Sequence, residues 1–229
     1  LSRGMRALNL YTTNLFDVAH HGDASVQDEI ALLTPICKAF CSEEGFNVAV
    51  EAMQVHGGYG YCTEYGIEQF ARDIKIASIY EGTNGIQSVD FVMRKILKDQ
   101  GKVFAKFGEK ILKDLSSTEA QVFSIEISTI GKNMEQAQKI LGHFAGLAQK
   151  KQFDQILQSA NYFLQFSGNL AVAWLLLRGA ILANNLKTSA NKDDAQYYQS
   201  KIDDFKIFCQ HSLSRNSGHS QSILNFDNQ

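Results

Sequence analysis

The residues best suited to chemistry lie in two short segments. The first is Tyr80-Glu81-Gly82-Thr83-Asn84-Gly85, where a carboxylate stands among glycines and small polar side chains. The second is Gln54-Val55-His56-Gly57-Gly58, followed by Tyr59-Gly60-Tyr61. Several of the 17 glycines cluster between Gly57 and Gly85, which marks loops whose backbone something must approach closely. Gly57-Gly58 reads either as the cap of a preceding helix or as backbone open to contact with a diphosphate. Thr83 reads as an N-cap, and the helix start behind it offers unpaired N–H groups suited to an anion. Taken alone, Glu81 is one loop carboxylate among 24 acidic residues. His56 reads as a packed residue at a helix end, and His20-His21 as surface. Glu64, Glu68, Arg72 and Asp73 read as structural, with Glu68 and Arg72 an i, i+4 pair.

Helices must position these segments. Met5, Leu8, Leu15, Phe16 and Val18 have a helical period that ends near His20-His21-Gly22, and a polar turn spans Asp23 to Gln27. Glu29 to Leu33 reads as a helical turn. Thr34-Pro35 then reads as N-cap and N1 of a long helix through Ile36, Phe40, Val48, Met53 and Val55. That helix must stop at His56-Gly57-Gly58-Tyr59-Gly60-Tyr61, because glycine at this density does not make helix interior. Ile67, Phe70, Ile74 and Ile76 indicate a short helix. Ile86, Val89, Met93, Ile96 and Leu97 share one face of another.

Lys98-Asp99-Gln100-Gly101-Lys102 is a polar break and the candidate domain boundary. Beyond it, Phe123, Ile127, Ile130, Met134, Ala137, Leu141 and Phe144 alternate steps of four and three, an apolar seam that reads as intramolecular core. A second helix runs from Phe153 through Trp174 to Leu186, and a third carries Tyr198, Ile202, Phe205 and Cys209. No strand alternation of convincing length appears, so the expected fold class is all-α. The expected organisation is a helical bundle over 1–98, a second helical extension domain over 99–211 and a mobile tail over 212–229.

Composition removes several functions. The 229 residues carry a formal net charge of −2, without a basic stripe to neutralise phosphates, so nucleic acid is not an expected partner. The most apolar stretch, Leu170 to Ala183, is roughly 14 residues long and carries Arg178; a membrane span needs about 20, so it reads as core. Cys37, Cys41, Cys62 and Cys209 form no CxxC pair. Cys37 and Cys41 share a helix face but lack partners to complete a metal site, and the thiols fit a reducing compartment. No signal or transit peptide pattern is visible. Bacterial cytoplasm is the expected location, with the mitochondrial matrix as the alternative.

The run from Gln54 to Gln87, through Gly57-Gly58-Tyr59-Gly60-Tyr61, Glu64-Tyr65, Arg72-Asp73 and Tyr80-Glu81-Gly82-Thr83, resembles the acyl-CoA dehydrogenase family over its C-terminal helical domain. Gly4-Met5-Arg6-Ala7-Leu8 and Leu32-Leu33-Thr34-Pro35 resemble a 3-methylthiopropionyl-CoA dehydrogenase-like subgroup with an extra helical domain at its end. Tyr162, Gly168, Trp174, Tyr197, Lys201 and Phe205 resemble that extension more loosely.

The resemblance implies roles. Glu81 corresponds to the base that removes the α-proton of an acyl-CoA thioester while a hydride leaves the β-carbon for the flavin of FAD. A glutamate of ordinary pKa, about 4.3, is a poor base for this step, and closing the site around the acyl chain would desolvate it. The Gly82 N–H resembles the backbone donor that polarises the thioester carbonyl. Thr83, Asn84 and Gly85 resemble the stretch that opens a helix and touches FAD. Gln54, Val55, His56, Gly57 and Gly58 resemble the segment that contacts FAD held by a neighbouring subunit. The implied partners are acyl-CoA, electron-transfer flavoprotein and further copies in a dimer or tetramer. A complete enzyme of this type has an N-terminal helical domain and a middle β-domain. The expectation is therefore that this chain, which starts at Leu1 inside a helix, is a fragment that is inactive and colourless alone. An acyl-CoA oxidase, or a non-catalytic helical module for oligomerisation or docking, remains the alternative.

Overall fold

The computed structural model describes residues 1–225. Among them every regular element is a helix. Helix α1 spans Ser2–His20, and α2 runs without a break from Gln27 to Val55. One-turn α3 (Gly58–Tyr61) and α4 (Ile67–Lys75) lead to the Glu81 turn, after which α5 (Asn84–Asp90) opens into a π-helical stretch at Phe91–Leu97. Then come α6 (Lys102–Leu115), α7 (Ser124–Gln149), α8 (Phe153–Lys187), α9 (Lys192–His211) and α10 (Asn216–Leu224).

Helix α8 is the axis. Every residue from Phe163 to Leu175 is buried, as expected of a helix that is apolar all round and packed on every side. It touches α1, α2 and α5 from the first part of the chain and α7, α9 and α10 from the second. One apolar core therefore runs across the Lys98–Lys102 break. By length and composition α8 could cross a membrane, but 72% of its most apolar window is buried inside the protein. It spans 35 residues, as expected of the helix from Phe153 to Leu186, and Arg178 does not interrupt it. The Arg178 guanidinium lies over the Trp174 ring and 3.7 Å from Asp114, with half its side chain in solvent.

Glycine sets two of the crossings. A Cβ on Gly168 would lie 2.4 Å from the Phe40 ring of α2, and one on Gly4 would lie 2.4 Å from Val172. The heptad seam is internal, with Phe123, Ile130, Met134, Ala137 and Phe144 buried.

Several expectations need correction. Thr34-Pro35 does not start a helix: both lie inside α2, and the Thr34 hydroxyl donates to the Ile30 carbonyl at 2.7 Å. Proline normally disfavours helix interior, but here Pro35 is buried and α2 is held by packing against α1, α4, α5 and α8. The long helix does stop before the glycines, at Val55, but Gly58–Tyr61 then form one helical turn, in which a Cβ on Gly60 would lie 2.4 Å from the Met53 carbonyl. Ile86 and Val89 are exposed, while Ser88, Phe91, Val92 and Ile96 are buried. The π-helical stretch resets the face presented to α8, and Ser88 reaches Asn161 of α8 at 3.1 Å. Finally, 212–225 is not a mobile tail. Leu213, Asn216, Ser220 and Ile223 are buried, and Asn216 donates to the Phe166 carbonyl and accepts from Asn169. Polar residues disguised this segment as linker because its burial is made by amide hydrogen bonds. Residues 226–229 lie outside the described residues.

Candidate active site

The turn before α5 is held in an unusual shape. Glu81 has φ +53° and Gly82 φ +83°, two successive left-handed residues. Gly82 suits that conformation and glutamate does not. The other non-glycine residues of this kind, Gln100 and Lys151, follow the ends of long helical segments, where a left-handed residue commonly caps the last turn. Glu81 has no such reason. A left-handed non-glycine residue costs of order 1–3 kcal/mol and persists only where its surroundings over-determine it.

Those surroundings are on α2. Lys38 Nζ donates to the Gly82 carbonyl at 2.6 Å and to Asn84 Oδ1 at 3.1 Å. Ser42 Oγ donates to the same Asn84 oxygen at 3.1 Å, while Asn84 Nδ2 reaches the Ala39 carbonyl and Glu43 Oε2. Gln87 Nε2 donates to the Glu81 carbonyl at 3.2 Å. Thr83 caps α5, its hydroxyl accepting from the Ile86 N–H at 3.3 Å. Asn84 therefore spends its side chain on α2. The Thr83 hydroxyl proton and the backbone of Thr83–Gly85 are left to meet a ligand.

Glu81 opens on a cleft of about 640 Å³ between α1, α2 and the α4–α5 connection. Met5, Leu10, Cys37, Cys41, Ile74 and Tyr80 give it apolar walls, and Arg6, Asn9, Lys38 and Ser42 are among its polar points. Burial pushes the Cys37 thiol up and the Cys41 thiol to about 12, so both walls are neutral.

The second segment sits at the far end of α2. Gln54 to Gly58 is exposed. His56 caps α2, its Nδ1 within 2.9 Å of the Ala52 carbonyl, in keeping with a helix-end role. Gly57 has φ +60° and ψ −146°, a region essentially reserved for glycine. Nothing lies within 4 Å of a Cβ placed on Gly57 or Gly58. Seventeen residues of helix separate Lys38 from Val55, roughly 25 Å at 1.5 Å per residue. The structure therefore does not bring Gln54–Gly58 and the Glu81 turn into one site within this chain. Among the described residues no cluster of His, Cys, Asp and Glu is fit to hold a metal.

Sequence reasoning missed Lys38, Ser42 and Glu43. The available signal was Lys38 as the one charged residue between Ile30 and Cys41, with Ser42 one turn further on.

Residues 102–229 match the family model described as Acetyl-CoA dehydrogenase C-terminal like, and residues 2–97 match that of the Acyl-CoA dehydrogenase C-terminal domain. The chain belongs to the acyl-CoA dehydrogenase family. It is 34% identical to a 3-methylmercaptopropionyl-CoA dehydrogenase of Ruegeria pomeroyi, over 93% of this chain and 37% of the relative. It is 30% identical to the broad-specificity linear acyl-CoA dehydrogenase FadE5 of Mycobacterium tuberculosis, over 99% of this chain and 39% of the relative. The chain thus spans under two fifths of these acyl-CoA dehydrogenases. The fold is similar to part of Bacillus anthracis acyl-CoA dehydrogenase complexed with FAD, with TM-score 0.71, 22% identity, and 96% of this chain and 40% of that one covered. Caenorhabditis elegans ACDH-11 in complex with C11-CoA gives the same TM-score at 19% identity, covering 97% of this chain and 38% of its own.

Proposed function

We propose that this chain forms the C-terminal helical part of an FAD-dependent acyl-CoA dehydrogenase in which Glu81 is the base. The observation that carries the reading is a glutamate kept in a left-handed conformation at the mouth of an apolar cleft. An acyl chain fits the apolar walls, and its α-carbon then lies toward the carboxylate. Glu81 takes the α-proton onto a carboxylate oxygen. Gly82 leaves the thioester room to approach, and its N–H is the donor for the carbonyl that gains charge. Water displaced from the cleft by the acyl chain leaves Glu81 in a less polar setting, which favours proton uptake.

Exposed glycine backbone at Gly57-Gly58 and the α5 start at Thr83–Gly85 fit a diphosphate-bearing cofactor. FAD, when bound, supplies the acceptor for the hydride. The separation of the two segments along α2 supports the reading that Gln54–Gly58 serve a second copy. Val55, Tyr59, Tyr61, Tyr65 and Phe70 leave between 53% and 84% of their surface in solvent, an aromatic face of the kind that oligomer contacts cover. The dehydrogenase reading places electron-transfer flavoprotein as the partner that reoxidises the protein.

Glu81→Gln in the full-length protein tests the assignment. Flavin content should stay at the wild-type ratio while turnover of acyl-CoA falls by about 10²–10⁴-fold, the usual worth of general base catalysis. Unchanged turnover rejects the base. The isolated chain should purify colourless; yellow protein with stoichiometric FAD after desalting would overturn the need for further domains.

A further inference from the structure

Lys38 is a half-buried ammonium in the wall of the cleft, and both atoms it holds are neutral oxygens. Among the described residues it makes no ion pair within 4 Å. Burial depresses its pKa, and the charge of Glu81 partly restores it, so the two groups feel each other across the turn. A methionine of similar length would pack there without a desolvation cost. What the ammonium adds is a grip on the Gly82 carbonyl and a positive charge near the carboxylate.

We propose that Lys38 is a positioning residue: its two hydrogen bonds hold Glu81 in the left-handed turn, and they set a positive charge beside that carboxylate. The proposal rests on the reading of Glu81 as the base. The geometry carries the first half. Lys38 bonds the residue after Glu81 directly and, through Asn84, the residue that starts α5. Ser42, Ala39 and Glu43 hold Asn84 from the same helix, so α2 fixes the turn from both sides of Gly82. Coulomb's law carries the second half. An acyl chain that excludes water lowers the local dielectric, and the interaction between the two charged groups strengthens as it does so. The remaining groups around the cleft are Arg6 from α1, Cys37, Cys41 and Glu43 from α2, and Tyr80 from the turn itself. Arg6 adds charge of the same sign, whereas the two thiols are kept neutral by burial. During the reaction Lys38 keeps its proton; the transferred proton resides on Glu81.

The test uses the full-length flavin-loaded protein with Lys38→Met, Lys38→Arg and Glu81→Gln. Lys38→Met should lower kcat by about 10²-fold, the scale of a misplaced reacting group. It should also shift the acid limb of kcat/KM to higher pH and speed amide exchange across Ile79–Gln87. Lys38→Arg should keep the acid limb of the wild type, because it keeps the charge, while exchange reports the changed grip. A wild-type pH profile and wild-type exchange in Lys38→Met overturn the proposal. So does an acid limb shifted equally in Lys38→Arg and Lys38→Met, which would make the effect steric. If Lys38→Met does not fold, the acid limb of Lys38→Arg decides alone. Turnover by Glu81→Gln rejects the base instead, and amide exchange, which needs no turnover, still reads the tether.

Discussion

The Glu81 turn and the middle of α8 are held together by opposite means. Around Phe163–Leu175 every side chain is buried, and the fixing contacts are aromatic edges and close helix crossings at glycine. Around Glu81 the side chains are exposed or half-buried, and the fixing contacts are hydrogen bonds from α2. Apolar packing is non-directional and tolerates a few tenths of an ångström. A carboxylate proposed to act on one proton needs direction, which hydrogen bonds from α2 to the turn supply. Core substitutions should therefore lower stability broadly, and turn substitutions should act locally.

The largest effect should come from Trp174. It is 2% exposed, meets the edges of Tyr11 and Phe107 at 5.2 and 5.3 Å, and donates to Asp114 at 2.7 Å. Trp174→Ala should cost about 3–5 kcal/mol of unfolding free energy in urea titrations. Gly168→Ala should cost about 1–3 kcal/mol by overpacking against Phe40. A loss below 1 kcal/mol in both would mean that α8 is not the organising helix.

Asn84→Ala should act less on the whole and more on the turn. It removes one of the two acceptors that each of Lys38 and Ser42 has, worth about 1–3 kcal/mol. Much of that should appear as local opening, seen as proteolytic cleavage near Gly82 under conditions where the bundle stays folded. A global loss as large as that of Trp174→Ala would erase the distinction between the two regions.

What the sequence made legible follows the same division. The apolar periods of α1, α7, α8 and α9 are long, and they were readable because packing repeats every three or four residues. The Glu81 turn was readable through its motif. Lys38 was not, because its partner lies 44 positions away and hydrogen bonds across that separation leave no period. Pro35 and Asn216 were misread for a related reason: each looks like punctuation or linker, and tertiary contacts reverse the local preference. The π-helical stretch at Phe91–Leu97 has no sequence period of its own and shifted the predicted face of α5.

The docking of α10 gives a smaller, pH-dependent effect. His219 lies beside Tyr162, and burial, followed by the charge of Arg215, lowers its pKa below the ordinary value of 6.5. The unfolded chain then takes up a proton first as the pH falls. Stability from this contact is full above pH 6.5 and declines below it, toward the folded-state value. Melting at pH 7.5 and 5.5 should show a drop that flattens in His219→Phe. An unchanged drop would place its origin elsewhere.

Thiol labelling should leave the fold almost untouched and still separate the two regions. Cys62 is exposed directly after α3, whereas Cys209 is buried in α9 and its thiol is pushed up to about 12. Cys37 and Cys41 belong to the cleft wall: Thr12 lies 3.2 Å from the Cys37 sulfur, and burial raises both thiols. The thiolate is the reactive form, so at pH 8 a small disulfide reagent should label Cys62 first, with the other three following only in denaturant. Labelling of Cys41 at the rate of Cys62 would mean that the cleft opens freely to bulk water. In that case the apolar walls could not shield the Glu81 carboxylate, and an acyl chain there would not be held in a dry site.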